Sequence, residues 1–262
     1  MSKIKNKIID LNNKNKKALT VFLTSGFPIP NSFVELVINV AEAGADIIEI
    51  GLPFSDSLAD GPVIQKSYVQ SLSNKIDLVE TLKYISQIKN KIDLPIILIA
   101  PANLILSYGR DNFCNAASRA GLDGLIIPDI PLEEYEDYFT KSFNIFDKIL
   151  LTTPTSSEER IKLIDEKSSG FLYYTSVNGT TDTEQSFDEE VLKNLEHTYE
   201  IIKNNKMQIG FDFSTPEEIK KFLPFCDGVI VGSAIIKTLE TDDEKFTNTI
   251  NLIKKLKSAC NI

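Results

Sequence analysis

Eight short apolar runs, rich in Val and Ile, recur along the chain, and each is followed by a longer stretch of helical period. They occupy residues 19–24, 46–51, 95–100, 123–128, 148–152, 171–175, 207–211 and 228–231. A strand with one wet face alternates apolar and polar residues, whereas these runs are continuous, so both faces are covered. Helical segments are expected near 31–43, 77–89, 109–120, 133–143, 157–167, 188–204, 216–223 and 243–258, with an additional one over 63–72 after the second run. Strand and helix in strict alternation predict parallel βαβ units. Eight of them fill 262 residues without a Gly/Ser/Pro linker, which predicts one domain, 1–262, closed as an eight-stranded parallel (β/α)8 TIM barrel. A doubly wound open sheet is the alternative. Neither G-x-G-x-x-G after an early strand nor G-x-x-x-x-G-K-[ST] occurs, so dinucleotide and P-loop readings have no support.

The charge balance excludes further classes. With 28 basic and 37 acidic residues the chain carries −9, and a phosphate backbone or anionic membrane would be repelled over most of its surface. The Lys-rich stretch 3–17 reads as a short amphipathic helix, with Ile4, Ile8, Ile9 and Leu11 apolar, rather than as a nucleic-acid arm. No apolar run approaches the roughly 18 residues of a membrane span and no secretory h-region follows the start, so a cytoplasmic protein is expected. Cys114, Cys226 and Cys260 are scattered, odd in number and without metal spacing, which fits buried or surface thiols and no structural zinc. His197, the only histidine, lies in a Lys/Glu-rich helical stretch and reads as a solvated residue. Acid–base chemistry therefore falls to carboxylates.

In a barrel the chemistry gathers at the C-terminal ends of the strands. The second run, Ala45-Asp46-Ile47-Ile48-Glu49-Ile50-Gly51, places Glu49 among isoleucines near such an end. Loss of hydration disfavours its charged form, so its pKa should rise toward neutrality; pairing with a buried cation is the competing reading. The loop that follows, residues 51–62, is long for a βα connection and carries Asp56 and Asp60 framed by Pro and Gly. Asp60 precedes Gly61-Pro62 and reads equally as a helix cap or as a catalytic acid. The last unit, Asp227-Gly228-Val229-Ile230-Val231-Gly232-Ser233-Ala234-Ile235, is a strand, then Gly-Ser, then a helix. There the N–H groups of Gly232 and Ser233 suit an anion, although a tight turn would use the same residues.

Glu49-Ile50-Gly51-Leu52-Pro53-Phe54-Ser55-Asp56-Ser57-Leu58-Ala59-Asp60-Gly61-Pro62-Val63-Ile64-Gln65 resembles the E-x-G-x-P-F-S-D-P-x-A-D-G-P-x-I-Q string of the tryptophan synthase alpha chain family. Supporting matches are Phe22-Leu23-Thr24-Ser25-Gly26-Phe27-Pro28, Ile127-Pro128-Asp129-Ile130-Pro131, Gly170-Phe171-Leu172-Tyr173-Tyr174 and Val231-Gly232-Ser233-Ala234-Ile235, spread over essentially the whole chain. The resemblance implies retro-aldol cleavage of indole-3-glycerol phosphate to indole and glyceraldehyde 3-phosphate, in tryptophan biosynthesis, with no cofactor and no metal. It assigns Glu49 as the proton shuttle between indole C3 and the glycerol hydroxyl, and Asp60 as the acceptor on the indole N–H side. It further implies Phe22, Ile64, Tyr173 and Phe211 as substrate walls, Thr181 as the closing-loop residue that meets Asp60, and Gly232 and Ser233 as the phosphate site. Asp56, Asn103 and Pro131 map to the face that docks the family's beta chain, implying an alpha2beta2 heterotetramer.

Four positions depart from the family pattern. Gly179-Thr180-Thr181-Asp182 stands for G-x-T-G, and Gly210-Phe211-Asp212 for G-F-G, so Asp182 and Asp212 replace two phosphate-binding glycines. At an effective dielectric of ~20, an aspartate about 5 Å from a phosphate dianion would repel it by roughly 6 kcal/mol. Asp tolerates left-handed backbone and can turn its side chain outward, which is the escape. Ser57 replaces Pro, and Pro101 stands where the family often has Tyr, both on the partner face. Two other functions stay open at this point: a weakened alpha-type subunit acting mainly as an allosteric partner of a beta chain, and a related barrel enzyme whose substrate lacks the phosphate or presents a cation to those acids.

Overall fold

The computed structural model describes residues 2–57, 60–175 and 189–261; the expectations for Thr181 and Asp182 fall outside them. Nine strands, all paired in parallel, form one sheet: β1 (Ala18–Thr24), β2 (Ile47–Gly51), β3 (Ile96–Ile99), β4 (Gly124–Ile126), β5 (Asp147–Lys148), β6 (Leu150–Thr152), β7 (Leu172–Thr175), β8 (Met207–Gly210) and β9 (Gly228–Val231). Their order is β5-β4-β3-β2-β1-β9-β8-β7-β6. The two edge strands are consecutive halves of the fifth apolar run, separated only by Ile149, whose N–H still donates to Leu125 O at 2.9 Å. The sheet therefore curls until its edges meet in that run, and the nine strands are the eight staves of a barrel.

Most residues on both faces of the staves are apolar because both faces are packed. Residues pointing outward, such as Leu19, Val21 and Leu23 on β1 and Ile48 and Ile50 on β2, join the large core beneath the helices. The alternate residues Ala18, Ile47, Ile97, Ile126, Ile149, Phe171 and Ile230 point inward and form a second cluster, which Ile4 and Ile8 of the helix Lys3–Asn12 complete from below. That helix is capped by Ser2, whose Oγ accepts the Lys5 N–H at 2.9 Å. The stretch expected to be an amphipathic helix thus plugs the N-terminal end of the barrel.

Acids at the same end are fixed by cations and backbone donors. Asp46 receives Lys257 Nζ at 2.5 Å and the Leu19 N–H at 2.8 Å; Asp123 receives Lys89 Nζ and the Ile96 N–H, both at 2.8 Å. Asp227 receives Lys206 Nζ at 3.1 Å and the Met207 N–H at 3.0 Å.

Two helical expectations are corrected, and one further helix is found. Residues 133–143 do not form one helix but a 3-10 turn Leu132–Glu134, one α-turn Tyr135–Tyr138 and a second 3-10 segment Lys141–Ile145. Packing overrides propensity there: Tyr138, Phe139 and Phe143 all bury their rings against one another. The segment near 109–120 is Arg110–Ala120, preceded by an unanticipated helix, Ala102–Tyr108, whose first N–H is taken by the Asp129 carboxylate at 2.9 Å. The last helix begins at Thr247 rather than 243, because Asp242 and Asp243 spend their carboxylates capping the N–H groups of Thr247, Asn248 and Thr249.

Candidate active site

At the opposite, C-terminal end the inward positions enclose a cavity of about 490 Å³. Along β2 the inward residues are Ile47, Glu49 and Gly51, in register with Thr20, Phe22 and Thr24 of β1. The strand thus presents an apolar floor, then an acid, then a position with no side chain. Gly51 is required there: a methyl group on it would stand 2.5 Å from Phe22 Cζ and 2.8 Å from the Tyr68 hydroxyl. Gly210 on β8 plays the same part opposite, where a methyl group would overlap the Tyr173 ring.

Glu49 is 2% exposed, and among the described residues it has no ion pair; its Oε2 has no hydrogen-bond partner. Burial, reinforced by the charge of Asp60, pushes its pKa up to about 8. The pairing with a buried cation left open by the sequence is not made. Burial alone raises Asp60 to about 6. The capping alternative for Asp60 also fails: Gly61 is the N-cap of the helix Pro62–Ser73 and no side chain caps it. The loop is instead held by its main chain, with Gln65 Nε2 donating to Ser57 O at 3.0 Å and Asp60 O at 2.9 Å, which leaves the Asp60 carboxylate to the cavity. Two carboxylates thus face one pocket, close enough to feel each other's charge, and among the described residues no cation fixes either.

The other expected wall residues converge on the same space. Phe22, Ile64, Tyr173 and Phe211 all line it, and at its far side lie Gly232 and Ser233, where the helix Ser233–Leu239 begins. The first N–H groups of a helix have no acceptor within it and point outward with the positive end of the dipole. Asp212 is exposed and does not line the cavity, although its neighbours Gly210 and Phe211 do. Asp182 and Thr181 lie outside the described residues.

The three residues mapped to the partner face are all exposed on the rim: Asp56 beside the cavity mouth, Asn103 on the helix Ala102–Tyr108, and Pro131 leading into the turn Leu132–Glu134. Pro101 ends the β3 loop as the N-cap of that helix, and Asp129 ties it to the β4 loop through the Ala102 N–H. Tyr68, which no sequence motif singles out, also lines the cavity. The signal was there, since Tyr68 follows Ile64 by four residues and so shares its helical face.

The sequence profile of the family described as "Tryptophan synthase alpha chain" matches residues 8–261. Among curated relatives, the tryptophan synthase alpha chain of Prochlorococcus marinus is 39% identical over 258 residues, covering 97% of this chain and 91% of its own length. That of Petrotoga mobilis is 40% identical, covering 93% of each. Among solved structures, the tryptophan synthase alpha chain of Legionella pneumophila superposes with a TM-score of 0.89 at 30% identity, over 99% of this chain and 97% of that one.

Proposed function

The chain belongs to the tryptophan synthase alpha chain family, and from that premise we propose that its cavity cleaves indole-3-glycerol phosphate into indole and glyceraldehyde 3-phosphate. The observation that carries the reading is the acid pair: a buried, unpaired Glu49 and a nearby Asp60 whose pKa values of about 8 and about 6 straddle neutrality. At pH 7 Glu49 is therefore mostly protonated and Asp60 mostly ionised, which are the states the reaction requires at its start.

The steps balance on these two groups. Glu49 gives its proton to indole C3 while Asp60 takes the proton of the indole N–H, producing the indolenine. Glu49, now a carboxylate, removes the proton from the glycerol hydroxyl beside the breaking bond. The C–C electrons flow into the ring, the nitrogen recovers its proton from Asp60, and both acids end as they began. Each positioned acid or base contributes about 10² to 10⁴ in rate. Phe22, Ile64, Tyr173 and Phe211 hold the ring and the carbon chain, and the helix start at Gly232-Ser233 receives the phosphate.

The rim of Asp56, Asn103 and Pro131 is the docking face for a beta chain in an alpha2beta2 assembly, and the setting is the cytoplasm. No helix among the described residues is long and apolar enough to cross a membrane. Nothing favours a weakened subunit. Mixing the protein with indole-3-glycerol phosphate and following indole release tests the assignment; full activity in Glu49→Gln would sink it.

A further inference from the structure

Tyr68 projects from the middle of the helix Pro62–Ser73 and is 4% exposed, yet it lines the cavity. Its hydroxyl can be placed from its neighbour: a methyl group on Gly51 would stand 2.8 Å from that oxygen. Gly51 is the next inward position above Glu49 on β2, so the hydroxyl stands at the point where the acid opens into the cavity. Burial first, and then the charges of Asp60 and Glu49, keep its proton in place. The position is fixed from behind. Ser67, fully buried, exchanges a 2.6 Å hydrogen bond with Thr24 of β1, and Thr24 is the register partner of Gly51. Among the described residues the Tyr68 hydroxyl makes no hydrogen bond, whereas Tyr135, Tyr138, Tyr174 and Tyr199 all donate theirs. A hydroxyl that faces the cavity without a protein acceptor, within reach of the charges of both acids, is left to donate to a ligand.

We infer that Tyr68 is a substrate-contacting residue whose hydroxyl donates a hydrogen bond to the glycerol oxygen beside the bond that breaks. The polar atoms of the substrate leave that place for it. The indole N–H is itself a donor and is taken by Asp60, and the phosphate lies at Gly232-Ser233. The glycerol oxygens are the acceptors that remain next to Glu49. As Glu49 removes the proton from that oxygen, negative charge gathers on it before the carbonyl forms, and the Tyr68 donor strengthens as it does so. The inference rests on the reaction proposed above, and its test separates the two.

Calorimetry on the Glu49→Gln protein, with and without Tyr68→Phe, measures binding without turnover. One probe is indole-3-glycerol phosphate; the other is 3-(indol-3-yl)propyl phosphate, which keeps the ring and phosphate but has no glycerol hydroxyl. The expected result is about fivefold weaker binding of the first probe and an unchanged second, with kcat/KM of Tyr68→Phe alone falling about 30-fold. Equal binding of the first probe with and without the hydroxyl, or equal weakening of both probes, overturns the role of Tyr68 and leaves the lyase reading standing. Binding of neither probe to Glu49→Gln overturns both. Ser67→Ala gives a reading that does not depend on Tyr68→Phe folding: it frees the helix from β1 and should weaken only the glycerol probe, about twofold, and equal effects on the two probes count against the inference.

Discussion

The two ends of the barrel hold the same kind of residue in opposite circumstances. At the N-terminal end Asp46, Asp123 and Asp227 are withdrawn from water, and each is met by a lysine and a backbone N–H. At the C-terminal end Glu49 is at least as deeply buried and is met by neither. Burial alone thus does not decide what a carboxylate does. A counter-charge turns it into a fastener, and the lack of one leaves it a proton carrier whose pKa lies near the working pH. Stability and chemistry are segregated along the barrel axis.

The two kinds of acid should respond in opposite ways to removal. Glu49→Gln should lower indole release on the order of 10³-fold. The same substitution should stabilise the fold. Glu49 holds its proton up to about 8, while unfolded it releases it near 4.5, so stability falls as pH rises through that window. At pH 7 the burden is about 3 kcal/mol, and Glu49→Gln should raise the unfolding midpoint at pH 8 far more than at pH 5. At the other end the sign reverses. Asp46→Ala leaves the half-buried Lys257 and the Leu19 N–H without their partner and should cost about 3 kcal/mol in denaturant unfolding, with the turnover of folded molecules changed less than fivefold.

A finer test uses pH. The proposed mechanism starts from protonated Glu49 and ionised Asp60, so kcat/KM should be bell-shaped, with limbs at about 6 and about 8. Asp60→Asn should lower activity, abolish the acid limb and move the alkaline limb to lower pH, because the charge that helps to hold the proton on Glu49 is gone. An alkaline limb that stays in place would show that the acids do not interact. The smallest effect is expected at Asp212, whose side chain is exposed outside the cavity: Asp212→Gly should change affinity for the propyl phosphate analogue less than twofold.

The barrel was legible because parallel staves covered on both faces leave uninterrupted Val/Ile runs, and each stave fell where its run lies. The break at Ile149 was not, since a two-residue strand followed by a three-residue one carries no pattern of its own. Glu49 stood out as an acid among isoleucines, but whether a lysine met it depended on contacts between distant segments that local sequence does not encode. The role of Asp60 was divided until Gly61 proved to be the helix cap. Tyr68 was hidden for a different reason: its position matters only through Gly51 and Thr24, residues of two strands that the helix alone does not reveal.

The helix at the start of the chain has a reach beyond the residues it touches. Ile4 and Ile8 seal the base of the stave cylinder, and the dry column above them is what denies Glu49 its hydration. Removing that stopper would let solvent rise from underneath, drop the acid toward ordinary carboxylate behaviour, and silence the mouth from the far end without altering a single group that meets a ligand.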